Sequence, residues 1–215
     1  MGSMGTQVLK SSWFRKNWIP IAIQLCFLFA VVCLPRETYV YSNFIFYLGL
    51  FGYCAVAVGF SLSEWLKSLK QLLAWKHVVF TGFAVVAVVG VTSSLEAFMP
   101  QGLMGMIMLP AHSLLELCLF ACSTMLLAPI AEELFYRKSL ILQGSSKALI
   151  ATSVFSCVLY ALNHARMPIG ILLISSWAIP FVISYVKTKN IYVPMTAHIL
   201  LNLIVNGLTL ITALA

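Results

Sequence analysis

Seven apolar runs dominate the sequence and leave room for little else. They cover about Trp18–Leu34, Asn43–Leu62, His77–Thr92, Ser113–Leu142, Ala148–His164, Ile169–Val186 and Tyr192–Ala215. A helix crosses the hydrocarbon core of a bilayer with about 20 mostly apolar residues. The expectation is therefore an all-α, polytopic membrane protein with about seven transmembrane helices in a single transmembrane domain over 1–215. The first run follows Lys10, Arg15 and Lys16 as a signal peptide would, but no small-residue cleavage site comes after it, so it reads as a retained anchor. Composition excludes the soluble alternatives. Hydrophobic residues make up 61% and charged residues 9%, against about 25% charged in an ordinary soluble domain. The six cysteines all lie in apolar runs without a CxxC pair, and read as buried, reduced thiols.

Charge orients the map. The formal net charge is +7 and there is no Asp. In a soluble protein that excess would suggest nucleic acid; here it reads as a positive-inside bias facing anionic lipid, with no nucleic-acid partner. With the N-terminus on one side, that side holds Lys10, Arg15, Lys16, Lys67, Lys70, Lys76, Arg137, Lys138, Lys147, Lys187 and Lys189, and the other holds Arg36 and Arg166, a split of 11 to 2. The expectation is an integral protein of the plasma membrane with a cytoplasmic N-terminus.

Two connections are unusual. In Leu62–Lys76, the apolar Leu62, Trp65, Leu66, Leu69, Leu72 and Leu73 recur at helical spacing, with Lys67, Lys70 and Gln71 on the other face. The pattern predicts an amphipathic helix on the cytoplasmic membrane surface. Met99–His112 is rich in Met, Gly and Pro and lacks Lys and Arg. It reads as an outer loop resting on the bilayer, with a mobile gate as the functional alternative, because Met adapts to varied apolar ligands.

Ionisable residues inside a membrane helix are costly, by roughly 3 kcal/mol on insertion scales, and so point to function. The fourth run carries Glu116 near its outer end and, deeper, Glu132, Glu133 and Arg137. Glu133 and Arg137 are four apart, share a helix face and can form an ion pair. Glu132 is rotated by about 100° from Glu133 and has no local cation. Tyr160 and His164 share a face on the next helix, and His198 and Asn202 on the last. Helix-rise arithmetic puts Glu132 about 15 Å from the cytoplasmic end of its helix. The groups can then meet in mid-bilayer, within reach of the cytoplasm. The first three spans offer no usable motif.

The ordered set Glu132-Glu133-x-x-x-Arg137, Tyr160-x-x-x-His164 and His198-x-x-x-Asn202 resembles the CAAX protease and bacteriocin-processing family of intramembrane proteases, also called the Abi family. The motifs occupy about 113–206. Tyr160 departs from the family pattern, which has Phe, but keeps an aromatic ring. The resemblance implies an intramembrane endopeptidase acting on a membrane-associated peptide or protein substrate. Glu132 would be the general base on a water that His164 helps to hold, and His198 and Asn202 would stabilise the oxyanion. Glu133 and Arg137 would support Glu132. The substrate would be a CAAX-type tail or the leader of a bacteriocin or signalling peptide. Glu132, His164 and His198 would also make a zinc set with an open fourth position, yet H-E-x-x-H is absent, so metal-free water activation is put first. Two other readings stand beside the protease. One is a non-catalytic bacteriocin-immunity or scaffold protein. The other is a transporter or channel, which ranks last because no internal repeat or pair of broken helices is visible.

Overall fold

A computed structural model describes residues 2–214, with side chains from Ser12 onward. Lys10 and Ala215, which enter the sequence reading above, lie outside the described side chains. The described residues form helices α1 (Gly2–Cys33), α2 (Tyr39–Cys54), α3 (Leu62–Leu69), α4 (Leu72–Glu96), α5 (Leu114–Ala121), α6 (Ala128–Glu132), α7 (Ser146–Leu162), α8 (Pro168–Trp177), α9 (Ile179–Thr188) and α10 (Tyr192–Leu214). Wider π turns extend α2 over Ala55–Gly59, join α5 to α6 over Cys122–Leu127, and extend α6 over Glu133–Ser139.

Six stretches are long and apolar enough to cross a membrane: Ser12–Cys33, Arg36–Gly59, Leu72–Glu96, Leu114–Ser139, Pro168–Thr188 and Tyr192–Leu214. The seventh, Ser146–Leu162, is apolar but shorter. The all-helical, polytopic architecture expected from hydropathy is what the chain adopts.

Cross-helix hydrogen bonds define two faces. On the first, near the start of α1, Trp13 donates to the Leu140 carbonyl, Lys138 to the Gly59 carbonyl and Trp65 to Thr196 Oγ1. On the opposite face, Tyr41 donates to Glu116, Arg166 donates to the Tyr39 hydroxyl and its guanidinium lies over that ring, and Tyr39 donates to the Val31 carbonyl. The start of α5 explains itself chemically. Ser113 Oγ accepts from the Glu116 N–H, and Glu116 Oε2 accepts from the Ser113 N–H, a capping box. Glu116 is thus a helix cap rather than a member of the deeper acidic group.

Four expectations need correction. Of the six free cysteines only Cys54 and Cys157 are buried; Cys26, Cys33, Cys118 and Cys122 are exposed on the apolar helices. The amphipathic segment is not one helix over Leu62–Lys76. It breaks at Lys70, and Leu72, Leu73 and Lys76 begin the third span. The Trp65 side of α3 packs onto the protein, through Thr196 and the Phe60 ring, while Leu62 and Leu66 stay exposed. Arg137 is not a loop cation, because it is fully buried; without it the charge split between faces is ten to two. The Met99–His112 connection does not simply rest on the surface. Met104 is buried, and Met106 forms an antiparallel bridge with Ala165. The Ile107 N–H donates to the His164 carbonyl, and the Arg166 N–H to the Gly105 carbonyl.

Glycines permit this close approach. Gly105 has a φ of +60°, a left-handed conformation natural to glycine. A methyl group on Gly170 would overlap the Met104 carbonyl oxygen. Gly170→Ala is therefore expected to push the loop off the start of α8 and to lower stability by about 1–3 kcal/mol, the usual cost of overpacking. Thermal unfolding in detergent measures it.

Candidate active site

The polar residues of the fourth, fifth and last spans converge. Glu132, Glu133 and Arg137 are 1%, 0% and 0% exposed, and His198 is 4% exposed. Glu133 Oε2 lies 3.4 Å from Arg137 Nε, the i,i+4 pair that the spacing predicts. The pair survives although the backbone over Glu133–Ser139 is wound as a π turn, a distortion frequent at functional sites. The Arg137 guanidinium is also caged by rings, 5.1 Å from Tyr160, 5.3 Å from Phe181 and 5.8 Å from Tyr136. Such contacts favour a desolvated cation. They matter here because, among the described residues, none of its nitrogens has a hydrogen-bond acceptor.

His198 sits between the two carboxylates. Its Nδ1 is 3.0 Å from Glu133 Oε1 and its Nε2 is 3.7 Å from Glu132 Oε2. Since a carboxylate only accepts, Nδ1 donates to Glu133. Phe181 stacks on the imidazole at 4.5 Å. His164 is half-buried at the end of α7, and its Nδ1 donates 2.9 Å to the Tyr160 carbonyl. That bond sets the tautomer of the neutral ring and leaves Nε2 as an acceptor. Tyr160 ties the two imidazoles together, with ring centroids 4.4 Å from His164 and 6.3 Å from His198. Asn202 donates 2.8 Å to the Thr124 carbonyl in the π turn over Cys122–Leu127, which leaves its second N–H for another acceptor.

The second span, which offered no usable motif in the sequence, contributes to the site. Tyr47 on α2 is buried and donates to Glu132 Oε1. Asn43, one turn away, donates 3.1 Å to Ser123 Oγ. The signal was present in the sequence: Asn43 and Tyr47 have the same four-residue spacing, within an apolar run, as the other motif pairs. Phe181 was also missed, and an isolated Phe in an apolar span carries no such signal.

All four expected catalytic residues, Glu132, His164, His198 and Asn202, line one cavity of about 720 Å³, together with Tyr47, Asn43 and Tyr160. The remaining wall is mostly apolar and includes Met106–Leu109, the segment that folds inward from the Met-rich loop. The cavity offers a buried carboxylate, an imidazole acceptor and amide donors beside apolar space. That combination suits activation of water against a bound carbonyl.

The zinc alternative fares less well. Among the described residues, no three His, Cys, Asp or Glu side chains are gathered to hold a metal ion. His198 already presents both ring nitrogens to carboxylates, one of them engaged with Glu133. The donor set does not fit a metal.

The model of the family described as Type II CAAX prenyl endopeptidase Rce1-like matches residues 113–204. The match, over somewhat less than half of the chain, supports the resemblance to the CAAX proteases, and its limits enclose all three motifs. The comparisons with curated proteins and with solved structures gave no match.

Proposed function

We propose that the protein is an intramembrane endopeptidase that hydrolyses a peptide bond in a membrane-associated peptide or protein. One observation carries the reading: the buried Glu132 opens onto a cavity shared with His164, His198 and Asn202. Glu132 acts as general base and takes a proton from a water that His164 Nε2 helps to hold. The water oxygen bonds to the peptide carbonyl carbon, and the carbonyl becomes a tetrahedral oxyanion. The second N–H of Asn202, the one not given to Thr124, donates to that charge. The proton on Glu132 passes to the leaving amine as the C–N bond breaks. His198, held by Glu133 and 3.7 Å from Glu132, flanks the base instead of donating to the oxyanion as the resemblance implies, and Tyr47 holds Glu132 from the other side. Arg137 balances the charge of Glu133.

The substrates weighed are a CAAX-type tail and the leader of a bacteriocin or signalling peptide. The charge asymmetry supports a plasma-membrane protein with a cytoplasmic N-terminus. Purified protein incubated with such peptides should yield two fragments whose masses sum to the substrate plus one water. Saturable binding without fragments would favour the other reading, a non-catalytic immunity or scaffold protein.

Tyr47→Phe tests the contribution of the second span. It removes a hydrogen bond to a carboxylate, worth about 1.5–3 kcal/mol. We expect kcat to fall by about tenfold to a hundredfold, with KM little changed, as steady-state cleavage would measure.

A further inference from the structure

The cavity is not symmetric across the membrane. On α10 its wall runs from His198 to Thr209, away from the first residue of that helix and towards its end. On α2 it runs from Tyr47 back to Asn43, near the helix start, and on α4 from Val85 forward to Gly90, near the helix end. On the fourth span it runs from Glu132 back to Phe120. In all four cases the wall leads from mid-helix to the face opposite the N-terminus of the protein. At about 1.5 Å per residue, the α10 wall alone rises about 16 Å. The inward-folded Met106–Leu109 belongs to a connection on that same face. No lining residue comes from the turns on the first face. The sequence reading placed the polar groups within reach of the face that carries the lysines; the cavity leads the other way.

The two faces differ in charge. The first carries ten cationic positions: Lys10, Arg15, Lys16, Lys67, Lys70, Lys76, Lys138, Lys147, Lys187 and Lys189. The face of the cavity mouth carries Arg36 and Arg166 against Glu37, Glu96 and Glu116. Positive charge marks the cytoplasmic side. The mouth therefore lies on the exterior side, and its surroundings have no cationic excess to attract a free C-terminal carboxylate.

We infer that the substrate is a peptide segment presented from the exterior side of the membrane, apolar enough to fill the Val, Leu and Met wall, rather than a lipid-modified tail approaching from the cytoplasm. This rests on the endopeptidase reading for its chemistry, but its test does not require hydrolysis. The six cysteines are replaced, and single cysteines are introduced as Asn206→Cys and Thr209→Cys in the cavity wall and Lys187→Cys on the other face. Intact cells are treated with a membrane-impermeant maleimide, before and after permeabilisation. The expected result is that Asn206→Cys and Thr209→Cys label equally in both conditions, while Lys187→Cys labels only after permeabilisation. Thr209→Cys stands in if Asn206→Cys does not accumulate. Labelling of the wall positions only after permeabilisation would overturn the inference, as would labelling of Lys187→Cys in intact cells. No labelling at either wall position in either condition would also overturn it, because the cavity would then be closed to water from both faces. If wall labelling is as expected but no peptide is cleaved, the access route stands and the endopeptidase reading fails.

Discussion

Glu133→Gln is expected to lower the stability of the folded protein by about 3–5 kcal/mol, the usual result of breaking a buried ion pair by removing one partner. The geometry puts this variant at the expensive end. Glu133 and Arg137 are both fully buried, and Glu133 supplies one oxygen to Arg137 and the other to His198. Glutamine keeps a carbonyl acceptor for His198 but removes the counter-charge from Arg137. The ring cage around the guanidinium offsets part of the loss, since a desolvated cation–π contact contributes about 2 kcal/mol, but it cannot replace an anion. The variant should unfold at lower temperature in detergent and accumulate poorly in membranes. Replacing both residues together, as Glu133→Gln with Arg137→Met, should restore part of the stability, because no buried cation is then left alone. An unchanged unfolding temperature for Glu133→Gln would show that the rings alone suffice for Arg137.

Glu132→Gln should have the reverse profile. Its Oε1 accepts from Tyr47, and a glutamine carbonyl can accept the same bond. Its other contact is His198 Nε2 at 3.7 Å, too long for a firm hydrogen bond. No buried cation is stranded, so the folded protein should persist with a nearly unchanged unfolding temperature. Peptide cleavage, however, should fall by about 10²–10⁴-fold, the typical contribution of a positioned general base. Residual cleavage at the wild-type rate would remove Glu132 as the base. A stability loss equal to that of Glu133→Gln would make both carboxylates structural.

Most of the fold was legible because lipid imposes a length and a composition on each spanning helix, and these can be counted along a chain. The Glu133–Arg137 pair was legible for a similar reason: four residues bring side chains together on any helix, and the wider π turn here did not separate them. What could not be read was set by contacts between distant segments. Tyr47 reaches Glu132 across 85 positions, and only its spacing from Asn43 hinted that α2 has a polar face. The Met-rich connection turns inward because Gly105 and Gly170 let two backbones touch, and nothing local to either glycine says what it will meet. The break of the amphipathic segment at Lys70 was hidden because its leucines keep helical spacing across the turn into α4. The direction of the cavity depends on which halves of α2, α4 and α10 stand apart, a property of packing rather than of any one span.

The proposed hydrolysis requires Glu132 and His164 to hold a single water inside one polar cavity. Cryo-electron microscopy of the protein in lipid nanodiscs, at a resolution that shows ordered water, checks this requirement. A water is expected within about 3 Å of both the Glu132 carboxylate and His164 Nε2, with Asn202 and His198 facing the same space. His164 turned to lipid, or apolar side chains filling the gap between His164 and Glu132, would contradict it.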